Sequence, residues 1–556
     1  MSTDQGKAAG PSRPETPVSR VSSSGTRVEE TAKEVQVVGT EVTDPPASEK
    51  RPVLTGGEGE SAIPEDVKEE AIENAEEDWA HDARNARNWS FSKKWIMVAI
   101  VSLYTLVPPL ASSMMAPALP EIATALHITS PTVGAMTLSI FLVTFALGPL
   151  ILAPLSEIYG RTWILHICNV MSIGFNTGCG FVSSTGALVA LRVMAGLSGS
   201  APIAIGGGTI SDLFSERERS SAMAIYSLGP LLGPAIGPIA SGFITQSVGY
   251  KWIFVVIGGL GGVASALGLP FLRETYGPVI RLRIAKKMGD PEKAKAMHPH
   301  LEAVHGPGHQ LHLVWTNVTR PFILLTRSLT CFLLSFYMAL QYGFYYLMFT
   351  TFPTLFSTVY GFGPGVSGLA YIGLGLGFLA STLIGGYVGD KIYHVMTSRN
   401  KGKGKPEFRL PALIMGSIFP PIGLFWYGWS AQAQIHWIMP ILGSAIFGFG
   451  MMATYLPIQL YLVDSFQFAA SALAAASVFR SMLGFAFPLF GEQMFDAMGY
   501  GGGNSLLAGL AIVLGIPFPV WLYFNGEKLR MRIGAGDLLA SCRREMWTYD
   551  KITGYV

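Results

Sequence analysis

The sequence predicts an all-α membrane protein of twelve transmembrane helices, arranged as two bundles of six. Three observations carry that prediction. Half of the 556 residues are hydrophobic and only 14% are charged, where a soluble chain carries about 25% charged residues. Twelve apolar stretches lie between residues 95 and 524, most of them near the roughly 20 residues that a helix needs to cross a bilayer. A short polar turn recurs at matching places, APLSEIYGR at 153–161 and GYVGDKIY at 386–393. Hydrocarbon does not tolerate such polar groups unpaired, so each turn marks a point where two helices leave the membrane. Two turns at equivalent positions imply an internal repeat.

Residues 1–85 are rich in Ser, Thr, Pro, Gly and Glu with few aromatics. Such a segment buries too little apolar surface to offset its ordering cost, and a disordered cytoplasmic tail is expected. Thr16 and Ser19 are phosphorylation candidates within it, a plain spacer being the simpler alternative. Residues 1–30 lack an apolar core, so no cleavable signal peptide is expected. Trp89, Lys93 and Lys94 then form an interfacial anchor. The apolar stretches fall at 95–117, 131–152, 163–183, 188–210, 222–244 and 251–271, within a first bundle spanning 86–271. A polar loop at 272–321 follows, in which 279–288 (VIRLRIAKKM) is predicted to lie as an amphipathic helix on the inner membrane face. The second bundle, 322–524, holds stretches at 322–348, 366–388, 410–429, 435–460, 469–491 and 503–524, and a tail covers 525–556. The even number of spans places both termini on one side.

Lysine and arginine choose that side. Lys93, Lys94, Arg161, Arg217, Arg219, Arg273, Lys286, Lys287, the basic block at 391–409 and the C-terminal tail share one face, against Lys251 on the other. The positive-inside rule makes that face cytoplasmic. The sequons at Asn88 and Asn317 then face the cytosol and are not expected to be glycosylated. Cys168, Cys179 and Cys331 sit in apolar runs and Cys542 in the tail, so no disulfide framework is expected. His298, His300, His305, His309 and His312 are loosely spaced, with no Cys or carboxylate to complete a set. No metal site and no cofactor are predicted. The net charge of +2 gives no sign of a nucleic-acid partner.

The polar residues within the apolar stretches nominate the sites. Glu157 and Arg161 are four apart, which predicts a charge network with Glu157 at a helix end and Arg161 paired to an acid of a neighbouring span. The alternative is a turn whose charges only avoid lipid. Asp390 and Lys391 occupy the equivalent turn. Arg192, a few residues into the fourth stretch, either faces a polar interior or snorkels outward. Arg480 lies deep in the eleventh stretch and is expected to face the bundle interior or a cytoplasmic crevice, either in a structural pairing or in proton coupling or substrate binding. Gly229, Gly233 and Gly237, each followed by a proline (Pro230, Pro234, Pro238), predict a smooth, bent helix packed at the interface between the halves. Gln341, Tyr342, Tyr345 and Tyr346 among phenylalanines suit a large apolar substrate, with lipid contact as the alternative. Asn169, Tyr455 and Gln459 are further pocket candidates. Asp464 is expected to pair with a base, and Glu492, near an outer helix end, is a candidate proton carrier. Glu157, Arg192 and Glu492 all stay open as the proton-coupling group.

Five motifs in order carry a family resemblance: APLSEIYGR, LRVMAGLSGS at 191–200, GPLLGPAIGP at 229–238, ETYGPV at 274–279 and PEFRLP at 406–411. Across residues 88–532 the chain resembles the major facilitator superfamily, and more closely its fungal twelve-span drug:proton antiporter branch. The resemblance implies two six-helix bundles related by a pseudo-two-fold axis around one central cavity, working by alternating access. It also implies a gate latch at Glu157 and Arg161, a role for Arg192 in proton coupling or substrate binding, and an exchange-favouring contact at the Gly229 motif. Ala153, Glu157 and the pair Arg327-Ser328 depart from the pattern. The expected function is proton-driven export of small hydrophobic or amphipathic compounds by a monomer in the plasma membrane, the vacuolar membrane being the alternative address. The rival functions are proton-coupled import of a nutrient or cofactor and a non-transporting receptor or scaffold. A receptor or scaffold calls for a large ordered extramembrane domain, and the sequence suggests none.

Overall fold

The computed structural model describes residues 79, 81–215, 218–288, 307–466 and 469–532. The predicted tails, apart from 79, 81–85 and 525–532, lie outside these residues, as do His298, His300 and His305. All regular structure among the described residues is helical. In the first half the helices are α1 Phe91–Ser113, α2 Leu119–Ala125, α3 Pro131–Tyr159, α4 Arg161–Cys179, α5 Thr185–Gly199, α6 Ala201–Leu213, α7 Arg219–Val248 and α8 Lys251–Phe271. Two connecting helices follow, α9 Gly277–Met288 and α10 Pro307–Arg327. The second half comprises α11 Leu329–Tyr360, α12 Pro364–Leu369, α13 Ile372–Ala380, α14 Gly386–Arg399, α15 Leu410–Gly416, α16 Phe419–Gln432, α17 Ile438–Ser465, α18 Ala469–Ala486, α19 Pro488–Gly515 and α20 Pro517–Arg532.

Every predicted apolar stretch coincides with helix, but the boundaries move where local chemistry dictates. Ser328 separates α10 from α11 by accepting a hydrogen bond from the Cys331 amide at 3.3 Å, which satisfies one of the unpaired donors of a helix start. Gly499 takes a φ of 70° inside α19, a left-handed geometry that glycine adopts without a Cβ penalty. The eleventh stretch therefore turns into the twelfth at Gly499. Among the described residues, ten helical segments are long and apolar enough to cross a membrane. The two predicted stretches outside that set are α4 and α18. Arg161, His166, Asn169 and Asn176 make α4 more polar, and α18 is short, with Ser477, Arg480 and Ser481 along it.

The same four helix pairings recur in each half. In the first, α1 packs on α7, α3 on α5, α4 on α8 and α4 on α5. In the second, α11 packs on α18, α13 on α17, α16 on α19 and α16 on α17. First-with-fifth, second-with-fourth, third-with-sixth and third-with-fourth contacts thus repeat, which is the packing expression of the internal repeat.

The halves meet along two seams, α3 against α18 and α19, and α7 against α12 and α13. At the end remote from Arg161, Gln493 Nε2 donates to Thr132 Oγ1 at 2.7 Å, and the Gly365 amide donates to Gln246 Oε1 at 3.0 Å. These bonds hold the two halves together at that end. A protein carrying Thr132→Cys, Gln493→Cys and Cys542→Ser, joined by a cleavable bifunctional thiol reagent, is expected to stop transporting and to resume after cleavage. The native Cys168, Cys179 and Cys331 are buried and do not compete. Full transport after complete cross-linking would overturn the expectation that the halves must part there.

Candidate functional site

At the Arg161 end of the first half, a charge network is built on a tight turn. Gly160, at φ 104°, turns the chain between α3 and α4, so that the Arg161 amide points at Glu274 Oε1, 3.0 Å away. The Arg161 guanidinium reaches Asp212 Oδ2 at 2.9 Å and Ser156 Oγ at 3.1 Å. It lies against Gly208, where an added Cβ would come within 2.8 Å of Arg161 Cζ. Its cationic face rests 4.9 Å from the centre of the Tyr276 ring, an arrangement that the ring quadrupole favours. Burial, together with the Glu157 charge, pushes the Tyr276 phenol above its ordinary pKa, so the ring stays neutral under the arginine. Glu274 also accepts from the Thr275 and Tyr276 amides at 3.2 Å each, and Thr275 Oγ1 donates to Asp212 at 3.2 Å.

The structure redistributes the roles read from sequence. Arg161 takes its acid from the end of α6, and that acid is Asp212, while Glu157 is exposed. Neither Asp212 nor Glu274 was picked out as a site residue, although Glu274 opens the ETYGPV motif. In the second half the base of the network is Arg409, rather than Lys391. Arg409 Nη1 lies 3.3 Å from Asp390 and its Nε 3.3 Å from Asp464, and its guanidinium sits 3.9 Å from the Tyr393 ring centre. Lys391 is exposed, 5.9 Å from the centre of the Tyr387 ring. Each half therefore carries an arginine at the start of its third stretch, bound to an aspartate at the end of its fourth and covered by a tyrosine face.

A second assembly lies where the halves meet. Arg480 Nη1 donates to Tyr455 Oη at 2.6 Å, and Gln459 Nε2 donates to the same oxygen at 2.9 Å. The Arg480 guanidinium is 4.7 Å from the Tyr342 ring centre. Tyr342 lies 4.9 Å from Tyr346, centroid to centroid, and Tyr345 packs 5.0 Å from Tyr346. Tyr346 Oη then bonds Ser112 Oγ of α1 at 2.7 Å, across the two halves. Next to Ser112, the Ala111 carbonyl accepts from Arg192 Nη1 at 3.0 Å. Arg192 is 0% exposed, which removes the snorkelling alternative, and it lies 4.9 Å from the Phe141 ring centre. Tyr342, Tyr345, Tyr455, Gln459 and Arg480, nominated separately from three parts of the chain, thus form one group.

Other nominated residues lie elsewhere. Asn169 bonds Ser265 Oγ at 2.6 Å and the Gly261 carbonyl at 3.2 Å, tying α4 to α8 within the first half. Gln341 is buried and donates to Tyr337 Oη at 3.0 Å, one turn back on its own helix. Both side-chain NH2 groups find partners inside one half, as buried donors require, while Gln341 Oε1 is buried without one. Glu492 accepts from Thr354 Oγ1 at 3.3 Å near the Thr132 end, apart from both arginines. The Gly229, Gly233, Gly237 face meets α1 of its own half, instead of the other half. A Cβ on Gly229 would lie 3.1 Å from Leu106 Cα, one on Gly233 2.5 Å from Pro109 Cβ, and one on Gly237 would strike Ser113 Oγ. The contact with the second half comes from the other side of α7. There Ala235 meets Gly375, and the Pro238 carbonyl lies 2.6 Å from where a Gly368 Cβ would stand. Pro230, Pro234 and Pro238 sit within a helix that stays continuous. Among the described residues no three His, Cys, Asp or Glu side chains gather as metal ligands.

Comparison with known proteins agrees with this architecture. Residues 101–488 match the family model of the Major Facilitator Superfamily. An uncharacterized transporter of Schizosaccharomyces pombe is 44% identical over 450 residues, covering 81% of this chain and 91% of that protein. Efflux pump radE of Floropilus chiversii is 41% identical over 469 residues, covering 84% and 86%. A crystal structure of a D-xylose-proton symporter superposes with a TM-score of 0.57 at 14% identity, over 77% of this chain and 97% of that one. The repeated pairings, the twin arginine networks and the family match lead to one conclusion: the chain belongs to the major facilitator superfamily, and is a multi-pass membrane transporter and not an enzyme.

Proposed function

We propose that this protein is a twelve-span, proton-coupled exporter of small hydrophobic or amphipathic compounds, such as a drug, fungicide, toxin or secondary metabolite. The observation that carries the reading is the group around Arg480: aromatic faces with a few convergent hydrogen-bonding groups, placed at the junction of two repeats. Carriers of this kind bind their cargo at such a junction, and pockets for amphipathic molecules have such a lining. The outward direction is supported by the resemblance to efflux pump radE. The D-xylose-proton symporter shares the fold alone and has no bearing on direction.

In this reading the Arg161 end faces the cytoplasm of a cell whose plasma membrane holds the chain, with both termini inside. The networks of Arg161 with Asp212 and of Arg409 with Asp464 brace the cytoplasmic ends of the two halves. Glu157, exposed here, becomes a latch when those ends close together. The test uses everted membrane vesicles from cells overproducing the chain, with a panel of fluorescent amphipathic dyes and fungicides. An acid-inside pH gradient is expected to drive accumulation, and a protonophore to abolish it. Accumulation that survives the protonophore would overturn proton coupling, and accumulation only in right-side-out vesicles with acid outside would establish import instead.

A further inference from the structure

The reading as a small-molecule carrier leaves the charge of the cargo open, and the groups between Arg192 and Arg480 bear on it. The two guanidiniums are joined by an unbroken string. Arg192 holds the Ala111 carbonyl, the adjacent Ser112 bonds Tyr346, Tyr346 packs on Tyr342, and Tyr342 lies against Arg480. Arginine stays protonated in proteins, so both groups are permanent cations. Among the described residues no carboxylate balances them. The acids nearest the apolar stretches lie at their margins, among them Glu157, Asp212, Glu274, Asp390, Glu407 and Asp464 towards the Arg161 end, and Glu121, Glu492 and Asp496 towards the other. The donors are also under-used. Arg192 Nε and Nη2 and Arg480 Nε are buried with no hydrogen-bond partner, and a buried donor left unmatched is costly.

We propose that this string is an anion site and that the cargo is an aromatic compound bearing an ionised acid, a carboxylate or a phenolate. This rests on the reading of the chain as a small-molecule carrier. The anionic oxygen pairs with Arg480, which is half-buried at the junction, while the aromatic body stacks on Tyr342 and Tyr346. Arg192, fully buried beside the Ser112–Tyr346 bond, adds the second positive charge. A cationic drug meets two like charges in a medium of low dielectric, where repulsion is strong. A neutral one can meet the spare donors only with uncharged acceptors, which lack the charge assistance of an anionic oxygen.

The test is equilibrium binding to the purified full chain in detergent, with three probes of one shape: a naphthoate, its uncharged amide and the naphthylmethylammonium cation. The wild type is expected to bind the naphthoate roughly tenfold or more tighter than the amide, as a charge-assisted pair adds to a neutral one, and the cation most weakly. Arg480→Gln is expected to weaken naphthoate binding far more than amide binding, so that the roughly tenfold preference shrinks towards unity, with Arg480→Lys restoring part of it. A wild type that prefers the amide or the cation overturns the proposal, and that measurement needs no variant to fold. Equal loss of all three probes in Arg480→Gln overturns it too. Binding requires neither a gradient nor a direction. Anion preference without gradient-driven export therefore refutes only the export reading, and gradient-driven export of cations without anion preference refutes only this one.

Discussion

Asp212→Ala is expected to abolish transport at equal abundance and to lower the melting temperature of the purified protein, whereas Glu157→Gln leaves the melting temperature near wild type. Arg161 is the reason for the difference. Its side chain is 10% exposed and, among the described residues, its one ion pair, at 2.9 Å, is with Asp212. Removing a single partner of such a buried pair strands the other charge, at a cost of about 3–5 kcal/mol. Glu157 is exposed and takes no part in that ion pair in this conformation. The stranded charge also makes a second measurement informative. Replacing both residues, Arg161→Ala with Asp212→Ala, removes the uncompensated cation and is expected to recover thermal stability relative to Asp212→Ala alone, without recovering transport. Melting temperature and vesicle transport separate these outcomes. If Glu157→Gln destabilised as much as Asp212→Ala, the assignment of Asp212 as the partner of Arg161 would be wrong.

Why Asp212 escaped the sequence is instructive. The sequence places Arg161 against an acid of a neighbouring span, but the four-residue spacing from Glu157 to Arg161 does not say which acid. Gly160 breaks the helix between them at φ 104°, and Arg161 turns to an aspartate 51 residues further on. The second turn shows the same limit. Asp390 and Lys391 are neighbours in sequence, but consecutive residues on a helix do not face each other, so Asp390 meets Arg409. What periodicity and length specify was readable: the apolar stretches and the internal repeat. Polar residues inside spans were harder to place. Tyr455, Gln459 and Arg480 converge on the junction, while Asn169 and Gln341 find partners within one half. Nothing local distinguishes the two outcomes, because either gives the side-chain donor a partner. The glycine motif was legible as a smooth face, but what that face meets is set by the packing of α7 on α1.

That packing leads to a second large effect, at Gly233. Gly233→Ala is expected to destabilise the protein by about 1–3 kcal/mol, the range for overpacking a close-packed contact, and Gly233→Leu to prevent assembly. The added Cβ would stand 2.5 Å from Pro109 Cβ, with Pro109 C at 3.1 Å and the Leu110 amide nitrogen at 3.2 Å. None of these atoms can swing away, since the proline ring and the backbone of α1 are fixed. Gly237→Ala meets Ser113 Oγ, which can turn away at the cost of its hydrogen bond to the Gly233 carbonyl, so its cost is expected to be smaller than that of a clash with fixed backbone. Gly259→Ala, with no neighbour within 4 Å of its Cβ, is expected to be neutral. The order Gly233, Gly237, Gly259 in melting temperature tests the contact itself. Proton leak in proteoliposomes without substrate tests its purpose. If close approach of α7 to α1 seals the first half, leak rises in that same order; if it only stabilises the bundle, the melting temperatures fall while leak stays at the wild-type level.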